Sequence, residues 1–161
     1  MSWFIGCIVG NGAIIAANLR QAGSVNTFMP ALPFSEDAVA ALLDPASQAV
    51  VRRLGSDASW DMVGAALAGP GAAGAAGAGI WSRVLTEFTD FVCTESPRYA
   101  DLRAEWDDLC SRGAALAVAA LTASLSAQLG VATTLVSPLI VWLVLSAVRI
   151  GTRAFCDVRQ H

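Results

Sequence analysis

The stretch GAALAVAALTASLSAQLGVATTLVSPLIVWLVLSAV, Gly113–Val148, decides how the chain is read. It holds 36 residues without a charge, between Arg112 and Arg149. A single bilayer crossing needs about 20 apolar residues, so the run suits two short helices better than one. As one helix it would reach about 54 Å at 1.5 Å per residue, too long for a bilayer or a small domain. A break is expected at Gly130 or at Pro138. The two halves differ. Gly113–Gly130 is Ala-rich, carries Thr122, Ser124, Ser126 and Gln128, and places Val118, Leu121, Leu125 and Leu129 on one stripe. Val131–Val148 is apolar on every side, with Leu135, Leu139, Trp142 and Leu145 among its large residues. A helix apolar all round belongs in lipid or in the centre of a large core. In 161 residues no such core is expected from the chain itself, which leaves lipid or partner subunits to cover the helix.

The flanking charges extend this reading. Arg112 precedes the run, and Arg149, Arg153 and Arg159 follow it. Under the positive-inside rule both ends then lie in the cytoplasm, as a hairpin of two spans requires. The expected fold is all-α, made of helical hairpins, with a C-terminal apolar hairpin embedded in a membrane and the polar region cytoplasmic. Leu135, Leu139, Trp142 and Leu145 are its membrane-facing candidates.

Composition agrees. Charged residues are 14% and hydrophobic residues 55%, with a mean hydropathy of +0.57. A typical soluble domain carries roughly 25% charged residues. All ten basic residues are arginine, and none form a cluster larger than Arg52-Arg53, which argues against a nucleic-acid surface. The cysteines, Cys7, Cys93, Cys110 and Cys156, show no CxxC pair and no metal spacing. Buried, reduced thiols are the plain expectation, with a Cys93–Cys110 disulfide as the alternative.

Working outward, the amphipathic part of the chain lies just before the run. In IWSRVLTEFTDFV, Trp81, Leu85, Phe88 and Val92 share a helical stripe, while Arg83, Glu87 and Asp90 cover the other side. Ser96-Pro97 stops that helix. In SPRYADLRAEWDDLCSRG, Tyr99, Leu102, Trp106, Leu109 and Cys110 form a second stripe, with Asp101, Arg103, Glu105, Asp107 and Asp108 outside. The two helices predict an αα-hairpin over 80–112. Its aromatic and leucine positions, Trp81, Leu85, Phe88, Tyr99, Leu102 and Trp106, are the partner-binding candidates, with core packing as the competing reading.

Further upstream, AGPGAAGAAGAG (Ala68–Gly79) reads as a Gly/Ala-rich linker over 70–79, or as a small-residue membrane helix. A helical region is expected over 35–69. Ser35 caps its start, Asp44-Pro45 restarts it, and Trp60, Val63 and Leu67 share one side of a last short helix. Residues 1–34 hold an apolar N-terminal segment and a loop broken by Pro30 and Pro33. Within it, Trp3–Leu19 is uncharged and has three readings: a membrane helix, a β-hairpin turning at Asn11-Gly12, or the opening of a nucleotide-binding fold. GNGAIIAANLRQAG resembles the dinucleotide-binding fingerprint. It departs from it at Ile15, where a third glycine should allow close helix–strand packing. Residues 113–150 are the apolar hairpin and 151–161 the tail.

No residue pattern predicts catalysis, a cofactor or a metal site. The one histidine is His161, and HExxH, Walker A and kinase motifs do not occur. The expected function is therefore a non-catalytic structural or anchoring subunit of a membrane-associated complex, its partners being other protein subunits or its own copies together with a lipid bilayer. The alternatives are a membrane-active pore-forming oligomer and a soluble all-helical assembly protein that buries its apolar hairpin between subunits.

Overall fold

The computed structural model describes residues 32–54, 59–69 and 75–160, and every regular element among them is helical. Eight α-helices follow in order: α1 (Glu36–Ala40), α2 (Pro45–Leu54), α3 (Trp60–Leu67), α4 (Ala75–Cys93), α5 (Ala100–Ser111), α6 (Ala114–Leu129), α7 (Thr133–Ile150) and α8 (Thr152–Gln160). A 3-10 turn, Pro97–Tyr99, leads into α5. The readings of Trp3–Leu19 lie outside the described residues.

Helix α7 forms the axis. The ten residues Val136 and Leu139–Ala147 are all buried. α1, α3, α4, α6 and α8 pack around it. This corrects the expectation that the chain has no core of its own for an all-round apolar helix. Helices on several sides, each offering one apolar stripe, enclose it. One helix among the described residues is long and apolar enough to cross a membrane, and it is this one, with a mean hydropathy of 1.8.

The break in the uncharged run falls at Gly130. Its φ of +64° is the left-handed conformation that closes a helix, and its N–H donates to the Ser126 carbonyl. Pro138 sits inside α7 instead. It forfeits only the bond its own N–H would have made one turn back, near the start of the helix. Gly113, at φ +118°, makes the other sharp turn, between α5 and α6. A side chain is strained at either backbone conformation.

Local signals explain the remaining starts. Ser35 accepts from the Ala38 N–H at 3.2 Å, and Ser59 from the Met62 N–H at 3.3 Å. Asp44 accepts from the N–H groups of Ala46 and Ser47 at 2.9 and 3.0 Å, with Pro45 at the first helical position. The Ser47 hydroxyl also donates to Asp44, and these bonds hold its carboxyl below its ordinary pKa. α4 begins at Ala75, so the second half of the Gly/Ala-rich stretch is helical, while 70–74 lie outside the described residues.

The stripe of α4 is broader than its sequence pattern suggests. Trp81, Val84, Phe88, Phe91 and Val92 are buried, whereas Leu85 is half-buried. Two aromatic clusters form on it. Phe91 meets Tyr99 and Trp106 edge-on, with ring centroids 5.9 and 5.0 Å away. Phe155 of α8 stacks on Trp60 at 5.6 Å and meets Phe88 edge-on at 5.5 Å. Such pairs add about 1 kcal/mol each beyond the area they bury.

Cys93, at the end of α4, is joined to Cys156 of α8 by a disulfide with Cα atoms 5.5 Å apart. This overturns the expectation of reduced thiols and the Cys93–Cys110 alternative. Cys110 is buried on α5, outside the disulfide. The bridge fastens a nine-residue helix, too short to persist alone, over the Phe88 side of the core.

Two substitutions test this packing. A Cβ on Gly64 of α3 would stand 2.5 Å from the Trp81 ring, and that ring is buried and tethered by its Nε1–H to Asp61 at 3.0 Å. Gly64→Ala is expected to destabilise by about 2–3 kcal/mol in urea unfolding, despite the better helix propensity of alanine. The disulfide spans 63 residues of sequence. Cys93→Ser together with Cys156→Ser is expected to lower stability by about 4 kcal/mol, and reductant should lower the wild type comparably while leaving the double variant unchanged.

Candidate functional site

The densest polar chemistry lies where α4 ends and α5 begins. Glu87 points from α4 toward the 3-10 turn. There Arg98 donates to both its oxygens, at 2.7 and 2.9 Å, and the Tyr99 hydroxyl donates to it as well. Glu87 is 15% exposed, not the solvated side chain its helix face suggests. Burial, reinforced by the bond to Glu87, pushes the Tyr99 hydroxyl above its ordinary pKa, so the phenol keeps its proton. The same pair of bonds raises Arg98. A polar cavity of about 600 Å³ opens beside the group, lined by Thr86, Glu87, Asp90, Thr94, Arg98 and Arg159.

Arg103 lies deeper. The sequence pattern places it outside; the fold leaves it 8% exposed. Its guanidinium donates to the Phe91 carbonyl from Nε and Nη2 at 3.1 and 3.0 Å, to the Asp90 carbonyl at 2.8 Å and to the Ser96 carbonyl at 2.6 Å. Asp90 and Phe91 belong to the last turn of α4, where carbonyls have no partner within the helix. Arg103 thus caps α4 from α5. Burial pulls its pKa down from the ordinary arginine value, but a guanidinium stays protonated. Arg83 does the same work elsewhere: its Nη2 donates to the Leu129 carbonyl, closing α6, at 2.9 Å. Neither role has a sequence signal, because each arginine acts on a helix other than its own.

The residues singled out from sequence fall mostly inside the molecule. Trp81, Phe88, Tyr99 and Trp106 are buried in the chain's own core, and Leu85 and Leu102 are half-buried against it. In this conformation the four aromatic residues offer little surface to a partner. Of the membrane-hairpin candidates, Leu139, Trp142 and Leu145 are buried within the helical assembly, and Leu135 is 54% exposed.

Two further cavities open at the surface. A groove of about 640 Å³ runs between α6 and α7, its lining mixed: Val118, Val141 and Pro138 with Thr122, Ser137 and Asp44. At the other side, Ile150 and Val158 line a shallow cavity with Trp60 and Asp61, beside the Arg159 guanidinium. Among the described residues no three His, Cys, Asp or Glu side chains gather into a metal-binding group.

Replacing Arg103 tests its capping role. Arg103→Met keeps much of the length but leaves the Phe91 and Ser96 carbonyls without this donor and the Asp90 carbonyl with the Thr94 hydroxyl alone, and should destabilise by about 3 kcal/mol in urea unfolding. Arg103→Lys should recover little, because one ammonium cannot span the fork of carbonyls. No family model, no curated protein and no solved structure matches this chain.

Proposed function

We propose that the chain is a non-catalytic structural subunit of a protein complex, folded as a disulfide-fastened helical domain with α7 as its core and not as a membrane span. The observation that carries this reading is where the chemically capable side chains go. Glu87, Arg98 and Tyr99 satisfy one another, Arg103 and Arg83 close helix ends, and Cys93 and Cys156 form a cross-link. Each is engaged in holding helices together. A bilayer-spanning hairpin of α6 and α7 would have to give up the contacts of α7 with α1, α3, α4 and α8, and the pore-forming reading demands the same release.

The disulfide also bears on location. Such bonds persist in oxidising compartments and are rare in the cytosol. We therefore assign the domain to the oxidising side of a membrane, in place of the cytoplasmic setting suggested by the arginines. The membrane hairpin is the second reading, favoured by the length and hydropathy of α7.

Fractionation separates the two. After a high-pH carbonate wash, the full chain is expected in the supernatant. Maleimide should modify Cys93 and Cys156 only after reduction. Retention in the pellet would establish the membrane hairpin instead, and ready labelling of Cys93 and Cys156 without reductant would overturn the assignment to an oxidising compartment.

A further inference from the structure

We infer that the exposed face of α8, with the end of α7 and the start of α3, pairs with the same face of a second copy of this chain, the two α8 helices running antiparallel about a twofold axis. The inference deepens the structural-subunit reading by naming the partner, and it rests on that reading. The face has an apolar stripe. Ile150, Ala154 and Val158 follow one another at four-residue spacing and line the shallow cavity whose other wall is Trp60 and Asp61 of α3. Ile150 is 39% exposed, and Val158, at 63%, is the most exposed large apolar side chain among the described residues. Ala154 between them is exposed as well.

The charges beside this stripe point to its occupant. Arg153 and Asp157, both exposed, stand one helical turn apart on the flank of Ala154 and Val158 that faces away from α3. On the α3 side stand Asp61 and Arg159, 3.8 Å apart, with the Arg159 guanidinium over the Trp60 ring at 5.6 Å. Each flank thus carries one acid and one arginine. A nucleic acid or an anionic bilayer is met by an excess of basic residues, and this face has none. A strongly charged protein partner would likewise call for one sign in excess. Balanced charge on both flanks is what an isologous contact requires, because one patch must complement itself.

The antiparallel sense follows from the order of those charges. A twofold axis across α8 reverses the helix and sets each flank against its own counterpart. Arg153 of one copy then approaches Asp157 of the other, twice in each dimer, and the small Ala154 leaves room for Val158 of the other copy. Parallel pairing would set Arg153 on Arg153 and Asp157 on Asp157, which like-charge repulsion opposes. The face is presented ready-made, since the disulfide and the stacking of Phe155 on Trp60 hold α8 in place. It is also small. The nine residues of α8 extend about 13 Å. A contact centred on them belongs with the weak, reversible interfaces that bury less than about 1,200 Å² in total.

Sedimentation equilibrium of the full chain in non-reducing buffer tests the pairing. A reversible monomer–dimer equilibrium is expected, with a Kd on the order of 10–100 µM. Val158→Glu, at an exposed position, should weaken it by about tenfold or more and leave the urea midpoint of the monomer unchanged. Arg153→Asp and Asp157→Arg should each weaken it by roughly fivefold, because like charges then face each other across the axis. Both substitutions in one chain should restore the wild-type Kd, and an equimolar mixture of the two single variants should associate more tightly than either alone. A partner with fixed charges of its own would not reward that exchange. A chain that stays monomeric at about 1 mM, a dimer indifferent to Val158→Glu, or a double variant no tighter than the single ones would each overturn the inference. The carbonate wash reports separately on the reading beneath it. A chain that stays in the supernatant as a monomer refutes the pairing and leaves the structural-subunit reading standing, whereas retention in the pellet refutes both.

Discussion

Everything in this fold answers to the need to bury α7. Its residues from Leu139 to Ala147 are apolar or small on every side, and a helix has no second face to turn outward. One layer of helices packed on one side would leave half of it in water. Five helices therefore converge on it, and each needs only a single apolar stripe to do so. That geometry accounts for the order of the chain around the axis: α6 folds back along α7 through Gly130, α4 lays its aromatic stripe on it, and α1, α3 and α8 close the remaining sides.

Surrounding one helix with short ones creates many helix ends close to a dry core. Unpaired carbonyls there are costly. The molecule meets this with arginines reaching across from neighbouring helices, Arg103 to the end of α4 and Arg83 to the end of α6. The same logic applies to α8, which has few buried residues of its own and is held by Cys156, Phe155 and the disulfide to Cys93. Surface ion pairs such as Arg149–Glu36, at 2.8 Å and largely exposed, contribute less than about 1 kcal/mol and orient α1 more than they stabilise it.

The chain's local grammar was legible before any fold was known. Ser35, Asp44-Pro45 and Gly113 mark helix boundaries, Gly130 is the one of the two expected breaks that ends a helix while Pro138 lies within the next, and the stripes through Phe88 and Trp106 do face the core. What stayed open was the cover of α7. Thirty-six uncharged residues and an all-round apolar second half have the statistics of a membrane hairpin, and the same statistics describe a helix wrapped by its own chain. Periodicity cannot distinguish them, because both environments are apolar. The candidate site was less legible still. Glu87 and Arg103 looked solvated, since their helix faces carry other charges, and only the approach of the 3-10 turn and of α4 encloses them.

By itself, the sequence determined the all-helical class, most helix ends and the apolar faces, because capping, turn conformations and the 3.6-residue period act over a few neighbouring residues. Tertiary structure alone decided that α7 is enclosed by the chain's own helices, that Cys93 joins Cys156 rather than Cys110, and that Arg103 serves a helix it does not belong to. Those outcomes depend on which surfaces meet across tens of residues, and no local pattern carries that distance.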